Sequence, residues 1–199
     1  MINDFHGKYF FLSNFAESAI VLDGVLYPTV EHAFQAAKMV NESDRLAISK
    51  AKTPGQAKRI GRSGLMRSDW EEIKVEVMHQ CLLRKFLLNP FLREKLRETG
   101  DEELVEGNTW HDNCWGDCFC PKCANKPGLN HLGRLLMEIR DNDKADKYFF
   151  TVGESKDGEF NVLRTFSSPE KAVSYVQLEF FDETYCGLSD KYLHINTIK

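Results

Sequence analysis

The sequence predicts an α+β protein in which a mainly α-helical core follows a small N-terminal β hairpin and precedes a C-terminal ββαβ appendage. Residues 20–27 alternate apolar positions about an Asp-Gly turn, which is typical of two short strands. Helix-start signals and helical apolar spacing recur between residues 29 and 97. After residue 143 the pattern changes to strand, strand, helix and strand. We therefore expect one domain over residues 1–143 and a small α+β appendage over 144–199.

The helical core begins after the hairpin. Thr29 is a suitable N-cap for a helix over residues 30–40, and Thr53-Pro54 repeats the signal with proline in the first turn. Residues 70–89 form the longest predicted helix, because apolar side chains recur on one face, at Ile73, Val77, Met78, Cys81, Leu82 and Phe86. A shorter helix is predicted over residues 91–97.

The remaining third of the core is predicted to be a long ordered loop and one more helix. Residues 100–130 are polar and rich in turn-forming residues, and loops of this length are often functional. A helix over 132–140 is expected to end at the polar break 141–143. In the appendage, strands are predicted over 148–152, 160–166 and 192–198, with a helix from Ser168-Pro169-Glu170 through residue 181.

Composition and charge narrow the class of protein. The 199 residues carry a formal net charge of -4, and the acidic excess lies in residues 141–199. No apolar stretch is long enough to span a bilayer, and the N-terminus lacks the basic and apolar segments of a secretory signal, so a cytoplasmic location without membrane contact is expected. Residues 45–74 are locally basic, which suits a phosphate-bearing ligand or, alternatively, a solvated helix face.

Four cysteines lie within ten residues of the long loop. Disulfides are disfavoured in a reducing compartment, so metal binding is the natural hypothesis. The proposed zinc ligands are His111, Cys118, Cys120 and Cys123. Cys114 is the substitute ligand if His111 points away, and free thiols are the alternative to a metal site.

The first predicted helix carries the residues best suited to chemistry. Glu31, Gln35 and Lys38 follow one another at helical spacing, so a carboxylate, an amide and an amine lie along one stripe. Such a stripe suits the wall of a cleft. The alternative is an ordinary surface glutamate with a lysine two turns later.

A series of segments over residues 5–140 resembles the NADAR (YbiA-like) family in order and spacing. These segments are Phe11-Leu12-Ser13-Asn14-Phe15, Thr29-Val30-Glu31-His32-Ala33-Phe34-Gln35-Ala36-Ala37-Lys38, Thr53-Pro54-Gly55-Gln56-Ala57-Lys58, Trp70-Glu71-Glu72-Ile73-Lys74-Val75-Glu76-Val77-Met78, Lys85-Phe86, Leu104-Val105-Glu106, Trp115-Gly116-Asp117 and Asn130-His131-Leu132-Gly133-Arg134-Leu135-Leu136-Met137. The resemblance implies an N-glycosidase that hydrolyses the bond between ribose C1 and an exocyclic amine. It does not cover the appendage.

The resemblance also implies catalytic roles. Lys38 is the expected nucleophile that captures C1 as a Schiff base, and Glu31 is the expected acid and base. If Lys38 stays charged, it anchors a phosphate or Glu31, and Glu31 activates water alone. Asp112 is expected to assist proton transfer or to hold the sugar, unless it only forms a turn.

Further residues are expected to contact substrate. They are Ser13, Asn14, Phe15, Gln35, Trp70, Lys74, Trp115, Asp117 and Asn130. For Trp70 the alternative is a core position, and for Asp117 it is a turn. The family pattern includes relatives without the cysteines, so any zinc is expected to be structural, and no cofactor is expected for catalysis.

The resemblance implies removal of ADP-ribose from guanine in nucleic acid, as an antitoxin opposing a DarT-like ADP-ribosyltransferase toxin. The ADP-ribosylated guanine belongs to DNA, RNA or a free nucleotide. The first alternative is an N-glycosidase acting on phosphoribosylamino intermediates of riboflavin synthesis. The second is a non-catalytic ADP-ribose reader.

Overall fold

The computed structural model describes residues 1–123, 125–156, 159–179 and 193–198, and it confirms the predicted α+β class. The chain begins with a 3₁₀ helix, Gly7–Leu12, that the sequence did not predict. The predicted hairpin follows as β1, Glu17–Leu22, and β2, Val25–Thr29. Asp23 and Gly24 have φ values of 51° and 73°, which are the left-handed conformations that a tight two-residue hairpin turn requires.

Helix α1, Val30–Ala37, starts where predicted, because the side chain of Thr29 accepts a hydrogen bond from the backbone N–H of His32. Its predicted end at residue 40 is wrong. The N–H of Arg67 donates to the carbonyl of Lys38, and the N–H of Val40 donates to the carbonyl of Leu65, each at 3.0 Å. These bonds draw the backbone into a short β bridge after Ala37, so Lys38 lies at the C-cap.

Two helices pack beside α1. Helix α2, Glu42–Ser49, was missed by the sequence analysis, although its first turn carries two acidic residues that favour a helix N-terminus. Helix α3, Pro54–Ser63, begins as predicted at Thr53, which accepts a hydrogen bond from the N–H of Gln56 at 3.2 Å. A Cβ at Gly61 would lie 3.0 Å from Cβ of Gln35 and closer still to its amide oxygen, so glycine favours the close approach of α3 to α1.

The long helix α4, Trp70–Leu87, and the shorter α5, Pro90–Arg97, match their predicted positions within two residues. Helix α6, His131–Lys144, runs past the break predicted at 141–143. Arg93 and Arg97 of α5 both donate to the carboxylate of Asp143, and these ion pairs favour continuation of the last helical turn.

The loop over residues 100–130 is ordered by backbone pairing. Strand β3, Gly107–Asn108, runs parallel to β4, Asp117–Cys118. A Cβ at Gly116 would lie 2.0 Å from the carbonyl oxygen of Glu106, so glycine permits the close approach of the two segments. Because the loop closes on itself in this way, it can hold side chains in fixed positions.

The appendage has the predicted ββαβ order. Strands β5, Tyr148–Lys156, β6, Glu159–Phe166, and β7, Leu193–Thr197, form an antiparallel sheet in the order β6-β5-β7, with α7, Pro169–Glu179, between β6 and β7 in the chain. The helix end predicted at residue 181 and the strand start predicted at 192 lie outside the described residues. Apolar side chains of β5 join those of the helices in one buried cluster. A domain boundary at residue 143 remains a prediction. Among the described helices, none combines the length and apolar character of a membrane span.

Candidate active site

A cleft of about 660 Å³ lies between the N-terminal segment, α1, α3 and the long loop. It is bounded by residues from six parts of the chain, so its shape depends on the tertiary fold. The lining side chains include three carboxylates, two long cations and several aromatic rings, and the full set is Phe5, His6, Phe10, Ser13, Asn14, Phe15, Glu31, Phe34, Gln35, Lys58, Arg62, Met78, Glu106, Trp110, His111, Asp112, Trp115 and Leu132.

Glu31 lies in the wall of the cleft with only 5% of its surface exposed. Its Oε1 accepts a hydrogen bond from Nε2 of Gln35 at 3.0 Å. Burial raises the pKa of Glu31, and the nearby charge of Lys58 and the bond from Gln35 oppose that rise. A carboxyl group with a raised pKa can both donate and accept a proton near neutral pH.

Lys38 is connected to Glu31 through Gln35. Its Nζ lies 3.4 Å from Oε1 of Gln35, the same amide whose Nε2 binds the carboxylate. Lys38 is half-buried and lies one turn beyond the residues that line the cleft. Burial lowers the pKa of Lys38, while the charge of Glu31 raises it. The structure therefore places the carboxylate in the cleft and the amine beside its wall.

Two buried oxygens among the cleft residues lack a hydrogen-bond partner in the described part of the chain: Oδ1 of Asn14 and Oε2 of Glu106. Burial raises the pKa of Glu106 to about 7, and the charge of His6 opposes this rise. Unsatisfied buried acceptors are costly in a folded protein, so each is expected to meet a donor from a bound molecule, an ion or an ordered water. Hydroxyl or N–H groups of a bound molecule would satisfy both oxygens.

The loop that carries Ser13 and Asn14 is held by two long-range hydrogen bonds. Nζ of Lys85, which is 1% exposed, donates to the carbonyl of Ser13 at 2.8 Å. The N–H of Glu31 donates to the carbonyl of Asn14 at 3.0 Å. Burial lowers the pKa of Lys85 to about 7, and the charge of Glu106 opposes the shift. Lys85 therefore supports the cleft from behind.

Aromatic rings form one wall and the mouth of the cleft. Trp115 packs edge-on against Phe34 with a centroid separation of 5.2 Å, and Trp70 lies behind Phe34 at 4.8 Å. Trp70 is buried and does not line the cleft, whereas Trp115 does. Phe10 and Trp110 are 44% and 58% exposed at the mouth, where their rings can receive a planar base.

Two cations also line the cleft. Of the basic stretch over residues 45–74, Lys58 and Arg62 line the cleft. Lys74, which was predicted to bind substrate, instead pairs with Glu71 outside the lining. The two α3 cations are positioned to neutralise a phosphate group in the cleft.

The other predicted contact residues of the long loop are engaged in turns. Asp112 lines the cleft, and its Oδ1 accepts hydrogen bonds from the N–H groups of Cys114 and Trp115, at 3.0 and 2.9 Å. Oδ1 of Asp117 accepts from the N–H of Gly128, and Asp117 does not line the cleft. Asp112 therefore holds Trp115 in place while facing the site.

The side chain of Asn130 also hydrogen-bonds to backbone groups. It has a φ of 49°, and its side chain donates to the carbonyl of Leu104 and accepts from the N–H of Glu106. This arrangement fixes the backbone that presents Glu106 to the cleft. Asn130 itself lies outside the cleft lining.

The predicted metal ligands come together beside the cleft. Nδ1 of His111 lies 3.3 Å from the Sγ atoms of Cys120 and Cys123 and 4.0 Å from that of Cys118. All four donor atoms lie within 4.8 Å of one another. Cys114 lies outside this group. His111 lines the cleft as well, so the possible metal site and the cleft share one side chain.

Some of the cleft residues were not predicted from the sequence. Glu106 was noted only as part of a recurring segment, and Lys58 and Arg62 only as part of a basic stretch. Phe10 and Trp110 gave no signal beyond being aromatic. Their shared location depends on long-range packing, which single-residue patterns do not report.

Comparison with known proteins identifies relatives over most of the chain. Residues 3–142 match the NADAR domain. N-glycosidase Npun_R5314 of Nostoc punctiforme is 42% identical over 134 residues, which cover 65% of this chain and 82% of that protein. A riboflavin biosynthesis protein of Vibrio vulnificus, VVA0006, is 37% identical over 133 residues, covering 66% of this chain but only 35% of its own length.

A solved structure shows the same fold. The NMR structure of the Escherichia coli protein YbiA superposes with a TM-score of 0.63 at 37% identity, covering 73% of this chain and 86% of that one.

Proposed function

The chain belongs to the NADAR domain family, and from this premise we propose that it is an N-glycosidase that releases ADP-ribose from the exocyclic amino group of guanine in nucleic acid. The relatives named N-glycosidases support the reaction type. The cleft supports the chemistry, because it places carboxyl groups of raised pKa beside cations and aromatic rings.

The observation that carries the proposal is the pair of unpartnered buried oxygens, Oδ1 of Asn14 and Oε2 of Glu106. A ribose presents two adjacent hydroxyl donors, and guanine presents N–H donors on one edge. Either set would satisfy these acceptors. A cleft with unpartnered hydrogen-bond acceptors near Glu31 is therefore suited to hold a ribosylated base beside the Glu31 carboxyl group.

The reaction begins with proton transfer. The lone pair of the exocyclic nitrogen expels the ring oxygen from C1, and Glu31 in its acid form donates the proton that this oxygen takes up. The products of this step are an iminium at C1 and the opened sugar. Glu31, now a carboxylate, can then accept a proton from the attacking group.

Lys38 is the proposed attacking group. Its neutral amine adds to C1 when the side chain turns from Gln35 into the cleft, and the guanine amine leaves with a proton. Water hydrolyses the resulting lysine imine, which returns the free amine and the aldehyde form of ADP-ribose. If Lys38 stays at Gln35, Glu31 instead directs water at C1 and the same products form.

The rest of the cleft suits the two ends of the substrate. Lys58 and Arg62 are positioned to bind the diphosphate, and the rings of Trp115, Phe10 and Trp110 offer stacking surfaces for the bases. In this arrangement the cations bind the diphosphate and the rings bind the bases, and neither contact needs a metal ion at the reacting atoms.

A second candidate is hydrolysis of a phosphoribosylamino intermediate of riboflavin synthesis. The 37% identity to the Vibrio vulnificus protein named for that pathway favours it. A third is a non-catalytic ADP-ribose reader, which would need no proton-transferring carboxyl group.

Incubation of the purified protein with each substrate separates these candidates. We expect free ADP-ribose to be released from an oligonucleotide that carries ADP-ribosylated guanine. Release of ribose phosphate from the riboflavin intermediate alone would favour the second candidate, and binding of ADP-ribose without release of sugar would favour the third. The antitoxin role has its own test: co-expression should relieve the toxicity of a DarT-like guanine ADP-ribosyltransferase.

We also propose that His111, Cys118, Cys120 and Cys123 hold a structural Zn²⁺. Tetrahedral zinc with bonds of about 2.0–2.3 Å separates its ligand atoms by roughly 3.5–3.8 Å, close to the 3.3 to 4.0 Å found from His111 to the three sulfurs. The ion would fix the loop that carries Asp112 and Trp115. Elemental analysis of the purified protein should find about one zinc per chain, and a ratio near zero would reject the site.

A further inference from the structure

A second concave surface adjoins the cleft. It has a volume of about 650 Å³, and we call it the aromatic groove, defined by Phe10, Phe11, Phe15, Phe91, Lys52 and Lys95. Phe10 and Phe15 line both the groove and the cleft. A chain that leaves the cleft at these two rings therefore enters the groove directly.

The groove combines exposed rings with cations. Phe91 is 66% exposed, and Nζ of Lys95 lies 4.5 Å from its ring centroid and 5.5 Å from that of Phe11. At the junction with the cleft, Nζ of Lys58 lies 5.7 Å from the centroid of Phe15. Rings that stack on bases and lysines that neutralise phosphates are the two components of single-strand binding surfaces.

Two hydroxyl groups and one imidazole of the groove wall are engaged within the protein. The hydroxyl of Thr53 accepts from the N–H of Gln56, and that of Thr29 lies 2.8 Å from Nδ1 of His32. Nε2 of His32 lies 3.1 Å from the carbonyl oxygen of Ala51. Among the residues that line the groove, Glu17 is the one acid. The wall thus offers stacking and positive charge, and apart from Glu17 and the lysines it has few groups that could recognise a ribose 2′-hydroxyl.

We infer that the aromatic groove binds the nucleotides that flank the modified guanine in single-stranded DNA. The inference rests on the proposed function, because it needs the modified base to lie in the cleft. It also narrows that function, since a free nucleotide or a riboflavin intermediate has no neighbouring bases to place in the groove.

The test compares two lengths of substrate and two variants. One substrate is ADP-ribosylated deoxyguanosine, and the other is the same group within a single-stranded DNA of about eight nucleotides. The groove variant combines Phe91→Ala with Lys95→Ala, both outside the cleft. The matched control combines Leu163→Ala with Lys147→Ala, an exposed apolar residue and an exposed lysine on the appendage side of the molecule.

We expect the wild-type KM for the oligonucleotide to be about tenfold lower than for the nucleoside, because the nucleoside lacks one stacked base and one phosphate contact in the groove. The groove variant should raise the oligonucleotide KM about tenfold and leave the nucleoside KM unchanged, and the control should change neither. Equal wild-type KM values for the two substrates, or equal effects of the groove variant on both, would overturn the inference. So would a lower wild-type KM for a single-stranded RNA that has the same sequence and the same modified guanine.

Direct binding keeps this result separate from failure of the proposed function. A fluorescein-labelled oligothymidylate of about ten nucleotides, which carries no ADP-ribose, should bind the wild-type protein more tightly than the groove variant in fluorescence anisotropy. If neither substrate is cleaved but this difference appears, the groove stands and the proposed reaction fails. If the groove variant binds the oligothymidylate as tightly as the wild type does, the groove inference fails.

Discussion

Replacement of Glu106 by glutamine should make the protein more stable at alkaline pH. The carboxyl group of Glu106 is largely buried, and its Oε2 has no hydrogen-bond partner among the described residues. Burial favours the protonated form, so the folded protein retains a proton that the unfolded chain releases. The stabilisation that the Glu106 proton provides is therefore complete below the pKa of Glu106 in the unfolded chain. It is lost as the pH rises through the pKa of Glu106 in the folded protein.

The size of the effect follows from the shift of the pKa from 4.5 to about 7. A pKa that is higher by roughly 2.5 corresponds to about 3 kcal/mol in the free energy of unfolding, and this contribution is lost between about pH 4.5 and pH 7.5. Glutamine keeps the shape of the side chain and has no proton to lose. At pH 8 the free energy of unfolding of Glu106→Gln should thus be about 3 kcal/mol higher than that of the wild type, or roughly 6–12 °C in Tm for a chain of this size. At pH 4.5 the two proteins should be equally stable.

The assay is thermal and urea unfolding from pH 4.5 to 8.5. The matched control is Glu103→Gln, which makes the same chemical change at an exposed position three residues away. Its stability should follow the wild type at every pH. If Glu106→Gln also follows the wild type, the carboxyl group is not desolvated, and its assignment as a partner for substrate donors loses its physical basis.

The remaining predictions concern the proposed catalytic residues Glu31 and Lys38, the proposed zinc site and the hydrogen bonds that hold the backbone at Glu106. Glu31→Gln should lower kcat by about 10² to 10⁴-fold while ADP-ribose binding, measured by calorimetry, persists; retained turnover would remove Glu31 from the mechanism. Lys38→Ala should lower kcat at least about 100-fold, and borohydride should trap an adduct on the wild type alone; unchanged turnover without an adduct would establish the water route. Cys120→Ser should reduce bound zinc and Tm, whereas Cys114→Ser, in the same loop but outside the ligand set, should retain both; equal zinc content in the two variants would contradict the ligand assignment. Asn130→Ala should cost about 1–3 kcal/mol in urea unfolding, because it removes the hydrogen bonds to Leu104 and Glu106; an unchanged midpoint would show that these bonds add no stability.

Features with a local cause were predictable from the sequence. The caps at Thr29 and Thr53 and the turn at Asp23-Gly24 depend on neighbouring residues only, and the structure has all three. The cluster of His111, Cys118, Cys120 and Cys123 was also predictable, because these four residues lie within thirteen residues of one another in the chain. Short chain separation limits where such side chains can go.

Features with a distant cause were not predictable. Helix α1 ends early because Lys38 and Val40 bond to a segment some 25 residues away, and α6 extends because Asp143 meets two arginines of α5. The lack of a hydrogen-bond partner for Oε2 of Glu106 among the described residues likewise depends on the groups that surround it in three dimensions. Nothing in the local sequence distinguishes this glutamate from an exposed one such as Glu103.

The most direct test of the reaction is incubation of the purified protein with a single-stranded DNA that carries ADP-ribose on the amino group of one guanine. Mass spectrometry should find free ADP-ribose together with the unmodified oligonucleotide, and the Glu31→Gln variant should produce neither. An intact substrate after prolonged incubation with folded wild-type protein would contradict the proposal that this cleft cleaves the bond between C1 and the guanine amine.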